Sequence, residues 1–237
     1  MFTKVKKFFS YRTQEGPDKK YYDYLRDAYP SNHTYALVRG KIKPTSKLTK
    51  RYQPLHRLFP DNLLSVADIG CAKGYFIFSA SDYPHCQRAF GIDIHQEDID
   101  VCQWVQAKLN NPRVSFQKMQ LHELAEQIDQ LGGPFQTVLL LNTYQYLYFG
   151  SAGHPECYLN HDTIFSFLRK ICSQRVIFNN RMQWQDCQQQ VKQLPGAESH
   201  RDLYSPEAIL SAAARYFNVK EQGKIGRYPL LTLDVPG

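Results

Sequence analysis

From Ser65 onward the chain alternates short apolar runs with longer amphipathic ones, the pattern of a mostly parallel sheet whose connections are helices. The apolar runs predict strands over Ser65–Ile69, Arg88–Ile92, Arg113–Gln117, Thr137–Leu141, Arg175–Asn179, Asn218–Gln222 and Pro229–Val235. Helices are predicted over Tyr75–Ala80, Gln96–Leu109, Leu121–Leu131, Asp162–Lys170 and Pro206–Tyr216. The last has Ser205 as N-cap, Pro206 at its first position and Glu207 in the electropositive first turn. The final two strands are joined by Gly223-Lys224-Ile225-Gly226-Arg227, too short for a helical crossover, so they run antiparallel. The expected fold is α/β: a seven-stranded, mostly parallel sheet with an antiparallel C-terminal hairpin and helices on both faces. Upstream of Ser65, helices around Lys19–Ala28 and Lys50–Leu58, separated by Pro30 and the Gly40–Pro44 region, predict an N-terminal helical cap.

A chain of 237 residues, 43% hydrophobic and 14% aromatic, can bury a core and does not read as disordered. Its longest aliphatic run, Val138-Leu139-Leu140-Leu141, is far below the ~18 residues of a spanning helix, and no charged-then-apolar leader opens it. The six cysteines (71, 86, 102, 157, 172, 187) are widely and irregularly spaced, so reduced thiols and a cytoplasmic location are expected. Charge divides the sequence at about residue 60. Residues 1–60 hold 14 Lys and Arg against four acids, a net of +10, whereas the whole chain carries +7. This marks a basic, aromatic-rich cap over residues 1–60 on a near-neutral domain over 61–237. An anion meeting the cap and a merely solvated face both account for that charge. Tyr21, Tyr22, Tyr24, Tyr29 and Tyr35, interleaved with the cations, could stack bases or dock the cap on the core. Gln185-Asp186-Cys187-Gln188-Gln189-Gln190 reads most simply as an exposed helix face.

The sharpest local signal is Val66-Ala67-Asp68-Ile69-Gly70-Cys71-Ala72-Lys73-Gly74-Tyr75-Phe76: an apolar strand, an acid near its end, a small-residue turn and a helix start. Such a turn lets a ligand approach backbone at the carboxyl edge of a parallel sheet. A dinucleotide fingerprint needs Gly-x-Gly-x-x-Gly, but Ala72 and Tyr75 occupy the second and third glycine positions, which weakens a dehydrogenase reading. Asp93 ends the next strand, 19 residues beyond Gly74, near the ~20-residue spacing at which a carboxylate grips a ribose diol.

Taken from Asp68, the turn is Asp-x-Gly-x-Ala-x-Gly and resembles motif I of the class I S-adenosylmethionine-dependent methyltransferases, usually Asp/Glu-x-Gly-x-Gly-x-Gly, with Ala72 in place of the central glycine. The resemblance covers Ser65 to Val235 and implies a Rossmann-like methyltransferase domain that binds S-adenosylmethionine and releases S-adenosylhomocysteine. It implies cofactor binding by Asp68, Gly70, Cys71, Ala72, Gly74, Tyr75 and Phe76, with Asp93 on the ribose. Ile94 and His95 would line the adenine, beside Met119 and Gln120, the latter standing where many members carry an Asp. Leu139 to Phe149 corresponds to motif IV, which places Asn142 at the cofactor and Tyr146 near the acceptor.

Motif IV also narrows the acceptor. Thr143 and Tyr144 replace both prolines of the Asn/Asp-Pro-Pro-aromatic turn that marks amino-directed base methylation. Asn142 replaces the acid of the Lys-Asp-Lys-Glu ribose enzymes, and no cysteine lies near that strand end for cytosine-C5 chemistry. Methylation of an oxygen or of a ring or aliphatic nitrogen remains, on a small molecule, a peptide or an RNA, with a small molecule ahead of RNA and no membrane partner. A departing proton would go to Tyr144, His154 or His161. Asn180, Arg181 and Trp184, after the fifth strand, are candidate acceptor contacts, Arg181 reading a carboxylate or phosphate. His154, Cys157 and His161 lack a fourth ligand nearby, so no metal is expected. A non-catalytic binding module stays open, as does the oligomeric state.

Overall fold

A computed structural model describes residues 16–30 and 33–237, and in it the apolar runs lie side by side in a seven-stranded sheet. The N-terminal part comprises α1 (Lys19–Asp27), β1 (Tyr35–Val38), β2 (Lys41–Pro44) and α2 (Ser46–His56). The body follows as β3 (Ser65–Ile69), α3 (Tyr75–Ser81), β4 (Arg88–Asp93), α4 (Gln96–Leu109), β5 (Val114–Lys118) and α5 (Leu121–Gln127). It continues with β6 (Phe135–Leu141), α6 (Tyr144–Phe149), α7 (His161–Ile171) and β7 (Cys172–Asn179). After a short 3-10 turn (Trp184–Asp186) come α8 (Gln189–Lys192), a second 3-10 turn (Glu198–Leu203), α9 (Pro206–Ala214), β8 (Asn218–Ile225) and β9 (Tyr228–Asp234).

The strand order is β5-β4-β3-β6-β7-β9-β8. The first five are parallel, and β9 runs antiparallel to both β7 and β8. β6 reads Phe-Gln-Thr-Val-Leu-Leu-Leu because both faces of its segment are covered, so an in-out alternation is not required. One core holds side chains of α5, α6, α7 and α9, the other those of α1 to α4. Caps set the predicted starts: Ser205 Oγ accepts from Ala208 N at 3.2 Å, and Asn160 Oδ1 from Thr163 N at 3.0 Å. No helix among the described residues is long and apolar enough to cross a membrane.

The N-terminal segment departs from the all-helical expectation. A two-stranded hairpin, β1–β2, lies between its helices, with Val38 paired to Lys41 around a two-residue turn. Arg39 (φ 51°) and Gly40 (φ 70°) both take the left-handed conformation that such turns require, and Arg-Gly is an uncommon pair for it. α2 starts at Ser46 because the Thr45 hydroxyl caps it, accepting from Leu48 N at 3.4 Å.

This segment is bolted to the motif I turn. Lys73 is fully buried, and its ammonium donates to the carbonyls of Ala28 (2.6 Å) and Leu25 (3.4 Å) at the end of α1. Its own carbonyl accepts from the Tyr35 hydroxyl at 2.6 Å, and Tyr24 donates to Asp98 Oδ1 at 3.1 Å. Lys73→Met removes the donor from those carbonyls and is expected to loosen α1. Tryptic cleavage after Arg26 should then run several-fold faster than in the parent; an unchanged rate would show that α1 is held elsewhere.

Candidate active site

The carboxyl edge of the sheet opens into a cavity of about 560 Å³, within the ~300–1,000 Å³ typical of small-ligand sites. The turn after β3 forms its floor. Gly70 N and Cys71 N both donate to the Ile92 carbonyl at 2.9 Å, which folds the turn back onto β4. Gly70 (φ 75°) and Gly74 (φ 73°) take left-handed backbone, and so does Ala72 (φ 47°), where a side chain costs about 1–2 kcal/mol. A Cβ at Gly70 would lie 2.5 Å from Thr143 Oγ1, so motif I and motif IV touch and admit no side chain between them.

Asp93 closes the turn from the next strand. Its Oδ2 accepts from Ala72 N at 2.9 Å and its Oδ1 from His95 N at 3.1 Å, leaving further lone pairs on a carboxylate that borders the cavity. Ile94, His95 and Met119 line the same end. The His154 ring meets His95 edge to face at 5.5 Å. Gln120 also lines the cavity, and its side-chain amide donates to Glu156, tying the loop after α6 across this end.

Motif IV supplies the opposite wall. Asn142 takes left-handed backbone (φ 60°), and its buried Oδ1 has no hydrogen-bond partner among the described residues; the same holds for Ser151 Oγ. Both residues line the cavity. Orphaned buried oxygens are costly, and these two belong to residues that border one cavity. Tyr146 also borders the space, its hydroxyl accepting from Gln190 Nε2 at 3.2 Å, and burial pushes its pKa up to about 12. Tyr29 of the N-terminal segment reaches Gln188 across the mouth at 2.9 Å. Gln188 and Gln190 thus border the cavity, while Gln185, Gln189 and Gln190 are exposed as the sequence predicts.

Several residues predicted for the site lie elsewhere. Tyr144 is fully buried among Phe165, Phe178 and Tyr204, its hydroxyl 2.7 Å from His161 Nδ1. His161 Nε2 lies 3.0 Å from the Leu203 carbonyl, which can only accept, so Nε2 carries the proton and Nδ1 accepts from Tyr144. This brace joins α6, α7 and the 198–203 turn and leaves neither ring at the cavity. Of the three proposed proton acceptors, His154 is the one that borders it. Asn180 is fully buried, its Oδ1 accepting from Tyr144 N (3.0 Å) and its Nδ2 donating to the Leu140 carbonyl (2.7 Å). Trp184 packs on Phe149 instead of entering the cavity. Cys71, Tyr75 and Phe76 are core residues, Gly74 packs under Phe116 and Cys102, and Asp68 lies beneath the turn.

Asp68 belongs to a buried cluster that sequence reasoning did not find. Arg51 of α2, 8% exposed, donates through Nη1 to His33 Nε2, and His33 lines the cavity. Burial, with Arg51 and Lys73 nearby, holds the His33 pKa well below its usual range, so the ring stays neutral. Burial also lowers Arg51 to about 10, against the pull of Asp68, and the guanidinium stays charged. Burial raises the Asp68 pKa to about 7; Arg51 opposes this and Asp93 adds to it. Its unfolded value is near 3.9, so the native state holds a proton that the unfolded chain has lost. That stabilisation is complete below about pH 4 and disappears as pH rises through 7. Asp98, raised to about 6 by burial and Asp93, acts in the same direction. His33 and His161, both lowered by burial, act in the opposite direction, so in urea unfolding it is the stability of the parent relative to Asp68→Asn that should fall between pH 5 and 7; a constant difference would contradict this assignment.

The family model described as methyltransferase domain matches residues 60–198, and the chain belongs to that family, the class I S-adenosylmethionine-dependent methyltransferases. Solved structures share its fold. The PH0226 protein of Pyrococcus horikoshii is 18% identical, with a TM-score of 0.59 over 81% of this chain and 92% of that one. The ribosomal protein L11 methylase of Lactobacillus delbrueckii is 17% identical, with a TM-score of 0.51 over 80% and 79%. The bifunctional kinase-methyltransferase WbdD is 18% identical, with a TM-score of 0.51 over 79% of this chain, which spans 38% of WbdD's length. No curated protein sequence matches the chain significantly.

Proposed function

We propose that the chain transfers the methyl group of S-adenosylmethionine to an oxygen or nitrogen of a small molecule. The observation that carries this is the meeting of the 70–74 turn, Asp93 and Asn142 at one cavity. When bound, the cofactor supplies an electrophilic methyl whose C–S bond breaks toward sulfur, leaving a neutral thioether. Gly70 and Ala72 present backbone to it, Asp93 suits the ribose hydroxyls, and Ile94, His95, Met119 and Gln120 suit the adenine. Tyr146 and Arg181 line the remaining space for the acceptor. Holding nucleophile and methyl in line is worth up to about 7–11 kcal/mol, so a base is needed only where a proton must leave, and water can take it. The Tyr29–Gln188 contact across the mouth favours a small acceptor. The test is incubation with methyl-labelled cofactor and a fractionated cell extract. Label is expected in the low-molecular-mass pool; label confined to protein or RNA would overturn the choice of acceptor.

One observation favours RNA as a second reading. Residues 28–60 contain no acid, and Arg39, Lys41, Lys43, Lys47, Lys50 and Arg57 are exposed there. Lys41 and Lys43 share a face of β2, and Lys47, Lys50 and Arg57 share a face of α2. None of the six forms an ion pair with a described residue. If RNA docks there, replacing Lys41, Lys43, Lys47 and Lys50 by Gln should flatten the log–log salt dependence of binding by about 3, at ~0.7 per single-strand phosphate contact. An unchanged slope would remove this reading.

A further inference from the structure

We infer that the methyl acceptor carries a carboxylate or a phosphate and that Arg181 holds it. The inference rests on the small-molecule methyltransferase reading and deepens it. Charge on the cavity wall is sorted by position. Asp93, Glu97, Asp98 and Glu156 all line it. The first three come from β4 and α4, and Glu156 is tied there through Gln120, so the acids gather at the end suited to the nucleoside. Arg181 follows β7, three strands from β4 in the order β4-β3-β6-β7, or about 14 Å at ~4.8 Å per strand.

Arg181 is ready for an anion. It forms no ion pair among the described residues. Its guanidinium lies 5.1 Å from the Tyr228 ring centroid, and its carbonyl is pinned by the Tyr204 hydroxyl at 2.7 Å, so the side chain springs from a fixed backbone. Arg51 is close enough to act on electrostatically, and its buried Nη2 has no hydrogen-bond partner. Arg51 itself does not border the cavity, so Arg181 is the one guanidinium among the described residues that does. Arg51 stacks 5.2 Å from Phe76 and bonds to His33, which places it beside the cofactor turn. Arg181, on the acceptor side of β6, is thus placed for an anion of the acceptor. Its planar fork suits a carboxylate or phosphate bidentately, and an unpaired cation in a partly enclosed cleft concentrates such ligands. The anion is distinct from the atom that is methylated, whose lone pair forms the new bond to carbon while its proton, if it has one, leaves to water.

The test divides a low-molecular-mass extract on an anion-exchange resin and incubates each pool with labelled S-adenosylmethionine and the full chain. Label is expected to enter the retained pool. Arg181→Gln should cut that incorporation at least tenfold at low pool concentration, with much of the loss recovered at high concentration. Arg181→Lys, which keeps the charge without the fork, should fall between. S-adenosylhomocysteine affinity should change less than threefold in both variants, which shows that they fold. Phosphatase treatment of the retained pool separates the two anions, abolishing incorporation for a phosphate and sparing it for a carboxylate. Incorporation from the unretained pool, or full incorporation by Arg181→Gln, would overturn the inference and leave the small-molecule reading standing. No incorporation from either pool by a chain that binds S-adenosylhomocysteine would overturn both.

Discussion

Asp93→Ala is expected to weaken S-adenosylhomocysteine binding about a hundredfold, measured by calorimetry. In the free protein Asp93 already accepts from Ala72 N and His95 N, so it both shapes the turn and faces the cavity. Hydrogen bonds to a charged acceptor are worth about 1.5–3 kcal/mol each. Losing two to a ribose diol costs at least about 3 kcal/mol, or two decades in affinity. Ala72 adds to the effect, because its left-handed backbone is held by the same carboxylate. Asp93→Asn keeps the shape but presents an amide to two backbone donors, and should fall between parent and alanine. A loss smaller than fivefold in Asp93→Ala would mean that the ribose is held elsewhere.

The second large effect concerns stability. Asn180→Ala should lower the unfolding free energy by about 2–4 kcal/mol in urea titrations. The residue is fully buried, and its amide satisfies Tyr144 N at the start of α6 and the Leu140 carbonyl in β6. Each buried backbone group left unpaired costs about 1–3 kcal/mol. Against a typical total of 5–15 kcal/mol, that is a sizeable fraction. Asn180→Asp retains the acceptor and has a donor only when protonated, so it should sit nearer the parent below the carboxyl pKa. A change under 0.5 kcal/mol in Asn180→Ala would show that water replaces the amide freely.

The sheet was legible because its central strands are covered on both faces and so read as apolar runs, β6 most plainly. The meeting of motif I, Asp93 and Asn142 at one cavity was legible because they lie at strand ends, where chain position fixes place in space. Helix-borne residues were harder. Tyr144 and Tyr146 both follow β6, but residues two apart on a helix point about 200° apart, so Tyr144 enters the core while Tyr146 borders the cavity. Asn180 and Arg181 also divide, on the irregular segment after β7, Asn180 entering the core and Arg181 bordering the cavity. Arg51 and His33 left no local trace, since their meeting with Asp68 depends on how the N-terminal segment docks across the turn. Glu156 was hidden likewise in a loop that reaches back over α5. The β1–β2 hairpin was missed because four-residue strands carry too little periodicity and Arg39-Gly40 is a weak turn signal.

A crystal structure of the full chain with S-adenosylhomocysteine tests the central claim most directly, through the distance from the Asp93 carboxylate to the ribose hydroxyls. Charge-assisted contacts of about 2.5–2.7 Å, with the thioether over the 70–74 turn, are the predicted result. A nucleoside bound elsewhere, or a ribose more than about 4 Å from Asp93 and beyond hydrogen-bond reach, would contradict it.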